Sequence, residues 1–254
     1  MNLQNNQNAL RHSRSGRSRF EPRFKGVCAT ALIAVATLAA SPAMAVVTFD
    51  NVTPNIYNGG TTLTENGFTM TVEDSPAGPG LAGAVVNPAD PTSCFGVACP
   101  TGAKSQYYTG LNDGGLVFTR ADRFGFHFNS LDFAFVAPLS GPIFGVVGKL
   151  NISGISQSSG GTLSASIDFP QQVGGQYAFS NWALSAGFSD VVFSQLSINA
   201  CLYGTDGGCY RPANNQAQFA IDNVNVAAVP EPSTWAMLVF GLLGLAAARR
   251  RRSV

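Results

Sequence analysis

A two-residue alternation of apolar and polar side chains is the feature that most constrains the fold of this chain. Residues 163–169 carry Leu, Ala, Ile and Phe at the odd positions, with Ser, Ser and Asp between them. Because successive side chains of a β-strand point to opposite faces, this pattern predicts a strand with one buried face. Similar runs occur at 46–52, 67–73, 116–120, 131–136, 143–152, 177–184, 191–199 and 218–226.

Turns rich in Gly and Asn separate these runs, and no window shows a sustained helical period. Nine short strands with regular turns are typical of two packed antiparallel sheets. We therefore predict an all-β fold in which residues 46–228 form a single β-sandwich or jelly-roll domain. The stretch 75–106 is rich in Pro, Gly and Ala, and we interpret it as a surface loop.

The N-terminus predicts an export signal. Residues 1–26 hold six basic side chains against one acidic one, and an apolar stretch follows at 27–40. Ala43-Met44-Ala45 then gives the small-x-small pattern of a signal peptidase site. We predict a signal peptide at 1–45 and a mature start at Val46.

The segment 229–254 combines three features in a fixed order. Pro230, Glu231 and Pro232 come first, an uncharged apolar run follows, and the arginines Arg249, Arg250, Arg251 and Arg252 close it. We predict a transmembrane helix at 234–248, although its apolar rise of roughly 20 Å is short for a hydrocarbon core of about 30 Å. The positive-inside tendency places the arginines in the cytoplasm and the preceding domain outside.

This order resembles the PEP-CTERM sorting signal of Gram-negative bacteria. The resemblance implies that the exosortase, a membrane-embedded cysteine protease, cuts the chain near Pro230-Glu231-Pro232. It also implies passage through an inner-membrane intermediate to a polysaccharide-rich cell surface. Residues 218–222 resemble the Gln-Phe-x-x-Asp ending of one group of such proteins. The alternative interpretation is a plain C-terminal anchor with a coincidental Pro-Glu-Pro.

Charge is distributed unevenly along the chain. Residues 46–229 hold five basic and twelve acidic side chains, a net charge of −7, while the two termini hold the remaining ten basic side chains. Nucleic-acid binding requires a basic surface on the folded domain. The composition therefore argues against a nucleic-acid partner.

Four cysteines lie in the predicted exported domain: Cys94, Cys99, Cys201 and Cys209. An even number in an exported domain predicts two disulfides, and three pairings are possible. The local pairing of Cys94 with Cys99 and Cys201 with Cys209 is favoured because each bond closes a short loop. A zinc site is the alternative, but the spacings do not match C-x-x-C and only one histidine, His127, lies in this domain.

Catalytic motifs are not found in the sequence. His127 lies in an alternating run opposite its phenylalanines, and no Gly-x-Ser-x-Gly, His-Glu-x-x-His or P-loop pattern occurs. We therefore expect a protein without enzymatic activity. A secreted hydrolase with an unrecognised active site remains the alternative.

Two binding hypotheses remain. If the first and last strands are neighbours, Asp50 and Asp222 could supply oxygen ligands to Ca²⁺, the alternative being local turns and bulges. Tyr107, Tyr108 and Trp182 could stack on sugar rings, although aromatic side chains pack into cores more often. We therefore expect a structural or carbohydrate-binding component of the cell surface or exopolysaccharide matrix, with the exosortase, signal peptidase and possible exopolysaccharide as partners and no required cofactor.

Overall fold

A computed structural model describes residues 43–94, 97–137, 145–213, 215–229 and 232–251. Most of the predicted signal peptide, together with Pro230, Glu231 and Arg252, lies outside the described residues. The strands are β1 Ala43–Val47, β2 Asn55–Asn58, β3 Thr62–Glu65, β4 Phe68–Glu73, β5 Leu81–Val86, β6 Tyr107–Gly110, β7 Gly115–Arg120, β8 Phe126–Phe135, β9 Gly148–Ser156, β10 Thr162–Asp168, β11 Ser180–Ala183, β12 Phe193–Tyr203, β13 Cys209–Tyr210 and β14 Phe219–Ala228. The helices are a 3₁₀ turn at Pro91–Cys94, α1 at Ala186–Ser189 and α2 at Pro232–Arg251.

The strands form one antiparallel sheet that curls into two layers. Sheet I has the order β2-β5-β6-β14-β8-β11. β1 pairs with the same edge of β14 as β6, farther along the strand. Sheet II has the order β3-β4-β7-β12-β9-β10. β13 pairs with the same edge of β12 as β7, farther along the strand. Within the described ranges, a single pairing of Phe193 with Phe126 connects the two layers. The predicted all-β sandwich is confirmed.

The inward faces of the two sheets form one hydrophobic core. Phe118 of sheet II meets Phe128 of sheet I with ring centroids 6.3 Å apart, and Phe68 meets Phe126 at 5.3 Å in an edge-to-face pair. Both arrangements are favourable aromatic geometries and bury large apolar areas. The predicted alternation of 163–169 is confirmed, since Leu163, Ala165 and Ile167 pack against this core.

The interpretation of 75–106 as a loop is wrong in part. Residues 81–86 form β5, which lies between β2 and β6 inside sheet I. Residues 97–106 then fold over the outer face of sheet I, where Val97, Cys99 and Ala103 pack against a small second cluster that includes Tyr107 and Ala220. This cover buries sheet I on both faces at this end. We call residues 87–94 and 97–106 the covering segment.

The predicted strand at the mature start is also described. β1 begins at Ala43 and pairs with β14 from Ala43↔Ala228 to Val47↔Val224. The first and last strands of the sandwich are therefore neighbours, which was the condition for the calcium hypothesis. Cleavage before Val46, which stays a prediction, would leave Val46 and Val47 as the paired remainder of β1.

The predicted helix at 234–248 lies inside α2, but its transmembrane assignment is corrected. None of the helices in the described ranges is long and apolar enough to cross a membrane. The physical reason is length, because the uncharged run 235–248 rises only about 21 Å against a hydrocarbon core of about 30 Å.

Candidate functional site: an amide and carboxylate cleft

A polar row crosses three neighbouring strands of sheet I. Register pairs Asp132 of β8 with Asn181 of β11 on one side and with Asp222 of β14 on the other. Side chains that are directly opposite in an antiparallel pair lie on the same face, about 5 Å apart. Residues distant in sequence are thus brought side by side on the outer face of sheet I.

A bulge in β14 adds a fourth member to this row. Pairing with β8 is interrupted between Asp222 and Asn225, and Asn223 adopts a left-handed backbone with φ of 48°. Asparagine tolerates this conformation better than most residues, and bulges commonly redirect a side chain. The Nδ2 of Asn223 donates to Asp132 Oδ2 at 2.8 Å, and the Nδ2 of Asn181 donates to Asp132 Oδ1 at 2.8 Å. Both oxygens of Asp132 are therefore held by amides.

The row forms one wall of an open cleft of about 310 Å³. The covering segment also lines the cleft, through Gly102, Ala103 and Lys104, and so does Phe179, which directly precedes β11. Phe179 packs edge-on against buried Tyr107 at 5.3 Å, which fixes the position of its ring. A second opening, which includes Asp50, Ser105 and Gln106, adjoins the first through Ala103 and Lys104.

Asp222 is the buried member of the cleft and is only 3% exposed. Its Oδ2 accepts the hydroxyl of Ser105 at 2.8 Å, and its Oδ1 accepts the backbone N–H of Asn223 at 2.7 Å. Burial raises the pKa of Asp222 to about 6, assisted by the charges of Asp50 and Asp132 and opposed by these two hydrogen bonds. Desolvation outweighs hydrogen bonding here because no cation pairs with this carboxyl within the described chain.

Asp50 is positioned by a different buried carboxylate. Glu65 accepts the backbone N–H of Phe49 at 2.7 Å and that of Thr48 at 3.2 Å, and Phe49 adopts a φ of 60°. Glu65 thereby holds the turn that follows β1 in a conformation rare for phenylalanine. The Oδ1 of Asp50 then accepts the backbone N–H of Gln106 at 3.0 Å, which ties this turn to the covering segment.

The calcium hypothesis gains no ligand set from this geometry. Across the ranges that the structure describes, no three His, Cys, Asp or Glu side chains are placed to share a metal ion. Both oxygens of Asp222 already accept hydrogen bonds, from the hydroxyl of Ser105 and the backbone N–H of Asn223. Calcium at Asp50 and Asp222 stays a prediction without a described third ligand.

The predicted sugar contacts at Tyr107 and Tyr108 are wrong. The two side chains are 1% and 0% exposed, because the covering segment buries one face of β6 and the core buries the other. The hydroxyl of Tyr108 donates to the carbonyl of Gly115 at 2.9 Å. Trp182 is half-buried and packs on Phe133 at 6.2 Å on the core side of β11. The aromatic ring at the cleft is instead Phe179.

The cysteine prediction is confirmed with the local pairing. Cys94 bonds Cys99 with Cα atoms 5.7 Å apart, and Cys201 bonds Cys209 at 5.4 Å. The first bond constrains the covering segment, and the second ties β12 to β13. His127, whose Nδ1 lies 3.0 Å from the carbonyl oxygen of Ser189, contacts a backbone group and lies outside the residues that line the cleft.

Comparison with known proteins identifies the C-terminal signal. Residues 228–252 match the PEP-CTERM protein-sorting motif. The chain thus carries this motif, as expected of an exosortase substrate. No match is found among curated proteins.

Three solved structures illustrate the kind of fold that resembles this chain. TmCBM61 in complex with β-1,4-galactotriose has 10% identity and a TM-score of 0.33 over 63% of this chain and 88% of its own. A DUF4465 family protein from Bacteroides ovatus has 8% identity and a TM-score of 0.36 over 73% and 98%. The CBM22-1-GH10 modules of Clostridium thermocellum Xyn10B, complexed with xylohexaose, have 11% identity and a TM-score of 0.34 over 74% and 29%. All three TM-scores lie below 0.5, so no function is transferred from these proteins to this chain.

Proposed function

We propose that this protein is an exported exosortase substrate that binds carbohydrate of the cell surface or matrix through the cleft around Asp132. The proposal of carbohydrate binding rests on the polar groups of this cleft that have no hydrogen-bond partner in the described part of the chain. Within the described residues, the amide oxygens of Asn181 and Asn223 and the ammonium of Lys104 make no hydrogen bond. Two fixed acceptors and one donor therefore face a single opening.

This arrangement suits sugar hydroxyls. Each hydroxyl can donate one hydrogen bond and accept others, so a sugar ring is best bound by acceptors and donors held at fixed spacing. Asp132 orients both amides through hydrogen bonds of 2.8 Å, so that their oxygens are fixed before a ligand arrives. Preorganisation of this kind lowers the entropic cost of binding. The ring of Phe179 supplies an apolar surface beside them.

The alternative is hydrolysis, and one observation favours it. Asp222, with its raised pKa, and Asp132 share the Nδ2 of Asn223, at 3.4 Å and 2.8 Å. A protonated carboxyl near an ionised one is the pairing that glycoside hydrolysis uses. We favour binding because the oxygens of Asp222 are engaged by Ser105 and Asn223 and its side chain is almost wholly buried. A general acid has to reach its substrate.

Affinity electrophoresis in gels containing the exopolysaccharide of the producing organism tests the proposal. Wild-type protein should be retarded, and Asn181→Ala should reduce the retardation about tenfold in apparent affinity because a hydrogen-bond acceptor is removed. Asn199→Ala, on the outer face of sheet II, is the matched control and should behave as wild type. Equal retardation of both variants would exclude the cleft as the binding site.

The same polysaccharide separates binding from turnover. We expect no release of reducing ends by the wild-type protein over prolonged incubation. If reducing ends appear and Asp222→Asn abolishes them while preserving retardation, the hydrolase alternative is correct and the proposal of binding alone fails.

A further inference from the structure

Arg120 connects sheet II to Val229, the residue directly before Pro230-Glu231-Pro232. It ends β7 in sheet II, whereas Val229 directly follows β14 of sheet I and precedes Pro230. The Nη1 of Arg120 donates to the carbonyl oxygens of Val229 at 3.1 Å and Gly125 at 3.2 Å. Its Nη2 pairs with the carboxylate of Asp122. We call these four residues the Arg120 clamp.

The clamp is built from several mutually supporting contacts. The side chain of Arg120 is only 11% exposed. Asp122, its ion-pair partner, accepts the backbone N–H of Phe124 at 3.0 Å, and the N–H of Val229 donates to the carbonyl of Gly125 at 3.2 Å. Hydrogen bonds from a guanidinium are stronger than those between neutral groups, and its planar fork serves several acceptors at once. Both the N–H and the carbonyl group of Val229 are thus hydrogen-bonded, which fixes the chain where it leaves the sandwich.

This clamp leaves little chain between the sandwich and α2. Because α2 begins at Pro232, residues 230 and 231 alone separate it from Val229. Three Cα-to-Cα steps span at most about 11 Å. A protease has to surround the bond that it cuts, so cleavage next to folded structure depends on how often that structure opens.

We propose that Arg120 is a positioning residue for C-terminal processing, and that its hold on Val229 limits access of the processing protease to the sorting motif. This inference rests on the proposed function, in which the exosortase cuts near Pro230-Glu231-Pro232. Release of Val229 lengthens the free segment without altering the motif itself. The fold of the domain thereby sets the rate at which its own tail is removed.

Pulse-chase labelling in the producing bacterium measures that rate. Arg120→Ala removes the charge-assisted hydrogen bond to Val229, and loss of one such bond corresponds to an open population about tenfold larger, so loss of the precursor should accelerate three- to tenfold. Arg120→Lys, which keeps the charge but lacks the fork, should give an intermediate rate. Arg123→Ala, an exposed arginine three residues away, is the matched control and should leave the rate unchanged. An unchanged or slower rate in folded Arg120→Ala would overturn the inference.

A linker insertion separates positioning from loss of stability. Four residues, Gly-Ser-Gly-Ser, inserted between Val229 and Pro230 lengthen the segment while the clamp stays intact. This insertion should accelerate processing by itself and should make Arg120→Ala nearly silent when the two are combined. No acceleration by the insertion, or full additivity of the two changes, contradicts the inference even if Arg120→Ala folds poorly.

Failure of the proposed function gives a different result. If wild-type chain is never cut, the exosortase assignment is wrong, and amide hydrogen exchange of the purified full chain then tests the clamp alone. The N–H of Val229 should exchange about tenfold faster in Arg120→Ala than in Arg123→Ala. Equal exchange would show that Arg120 does not hold this residue.

Discussion

At the scale of single residues, this domain uses buried carboxylates in two different ways. Asp113, in the turn between β6 and β7, accepts the backbone N–H groups of Asn215, Gln216 and Ala217 at 2.6, 2.8 and 2.6 Å. Those three hydrogen bonds anchor the segment that enters β14. Asp222 accepts hydrogen bonds from the hydroxyl of Ser105 and from the backbone and side-chain N–H groups of Asn223, yet burial beside the carboxylates of Asp50 and Asp132 still raises its pKa. Asp113 holds a loop in place through three backbone donors, whereas burial disfavours the charged form of Asp222.

Replacement of Asp222 by Asn should stabilise the protein at alkaline pH. The pKa of this carboxyl rises from 3.8 to about 6 on folding, so the folded state binds the proton more tightly than the unfolded state. The resulting contribution to the free energy of unfolding is complete below about pH 4 and is lost as pH rises through 6. We expect Asp222→Asn to increase the free energy of unfolding by about 1 to 2 kcal/mol at pH 8, after allowance for solvent screening, and to change it little at pH 4. Urea unfolding at both values measures this. An equal effect at the two pH values would contradict the role of burial.

Replacement of Asp113 by Asn should have the opposite effect. The amide oxygen can keep the bonds to Gln216 and Ala217, but the new NH₂ group faces the N–H of Asn215 and leaves two donors opposed. We expect a loss of about 2 to 3 kcal/mol in urea unfolding at pH 7. Asp190→Asn, at an exposed position, is the control and should change stability by less than about 0.5 kcal/mol. A loss below 1 kcal/mol for Asp113→Asn would show that the loop adapts.

At the scale of the elements, the alternation of side chains predicted the strands that have one polar face. β9 and β10 follow this alternation closely. In β9, buried positions alternate with half-buried or exposed ones, and in β10, half-buried positions alternate with exposed ones. β5 and β6 do not alternate, because the covering segment buries their outer face and the core buries the other. A strand covered on both sides reads as a continuous apolar run, and in a stretch rich in Gly and Ala it is easily taken for a loop. Tyr107 and Tyr108 were misassigned for the same reason.

The candidate site was predictable only in part at this scale. Asp50 and Asp222 stood out because they open and close the domain, and β1 does pair with β14. Asp132 and Asn181 join them only through the register of β8 with its two neighbours, which depends on the whole sheet. An acid inside the apolar run 131–136 was the one available signal for Asp132. Cross-strand adjacency of this kind is absent from any local pattern.

Removal of either disulfide should cost a similar amount of stability, but only one of the two removals should weaken binding. Removal of either pair frees a short loop in the unfolded chain, at a cost of about 2 to 3 kcal/mol. Cys94→Ser with Cys99→Ser also loosens the covering segment, whose Ala103 and Lys104 form a wall of the cleft, so polysaccharide retardation should fall at least threefold. Cys201→Ser with Cys209→Ser lies outside the cleft-lining residues and should leave retardation intact. If retardation falls equally in both double variants, the covering segment has no specific role in binding.

At the scale of the whole molecule, the domain and its tail are directly joined. The sandwich is complete at Ala228, where β14 pairs with Phe126 of β8, and the matched sorting motif begins at that same residue. Every strand needed for the core therefore precedes the segment 230–254. Loss of that segment should leave the fold intact, which is the condition for a tail that is removed after export.

Processing of the tail can be checked on protein recovered from the cell surface. If residues 229–254 are a sorting signal, the mature protein should end near Pro230-Glu231-Pro232 and lack the arginine cluster, as read by mass spectrometry of its C-terminal peptide. Replacement of Pro230, Glu231 and Pro232 by alanine should then leave uncut precursor, because it removes the recognised sequence and keeps the apolar run and the arginines. A plain anchor requires only that run and those charges, so it predicts no effect of the replacement. Recovery of an intact Arg-Arg-Arg-Arg-Ser-Val terminus from the surface would favour the anchor.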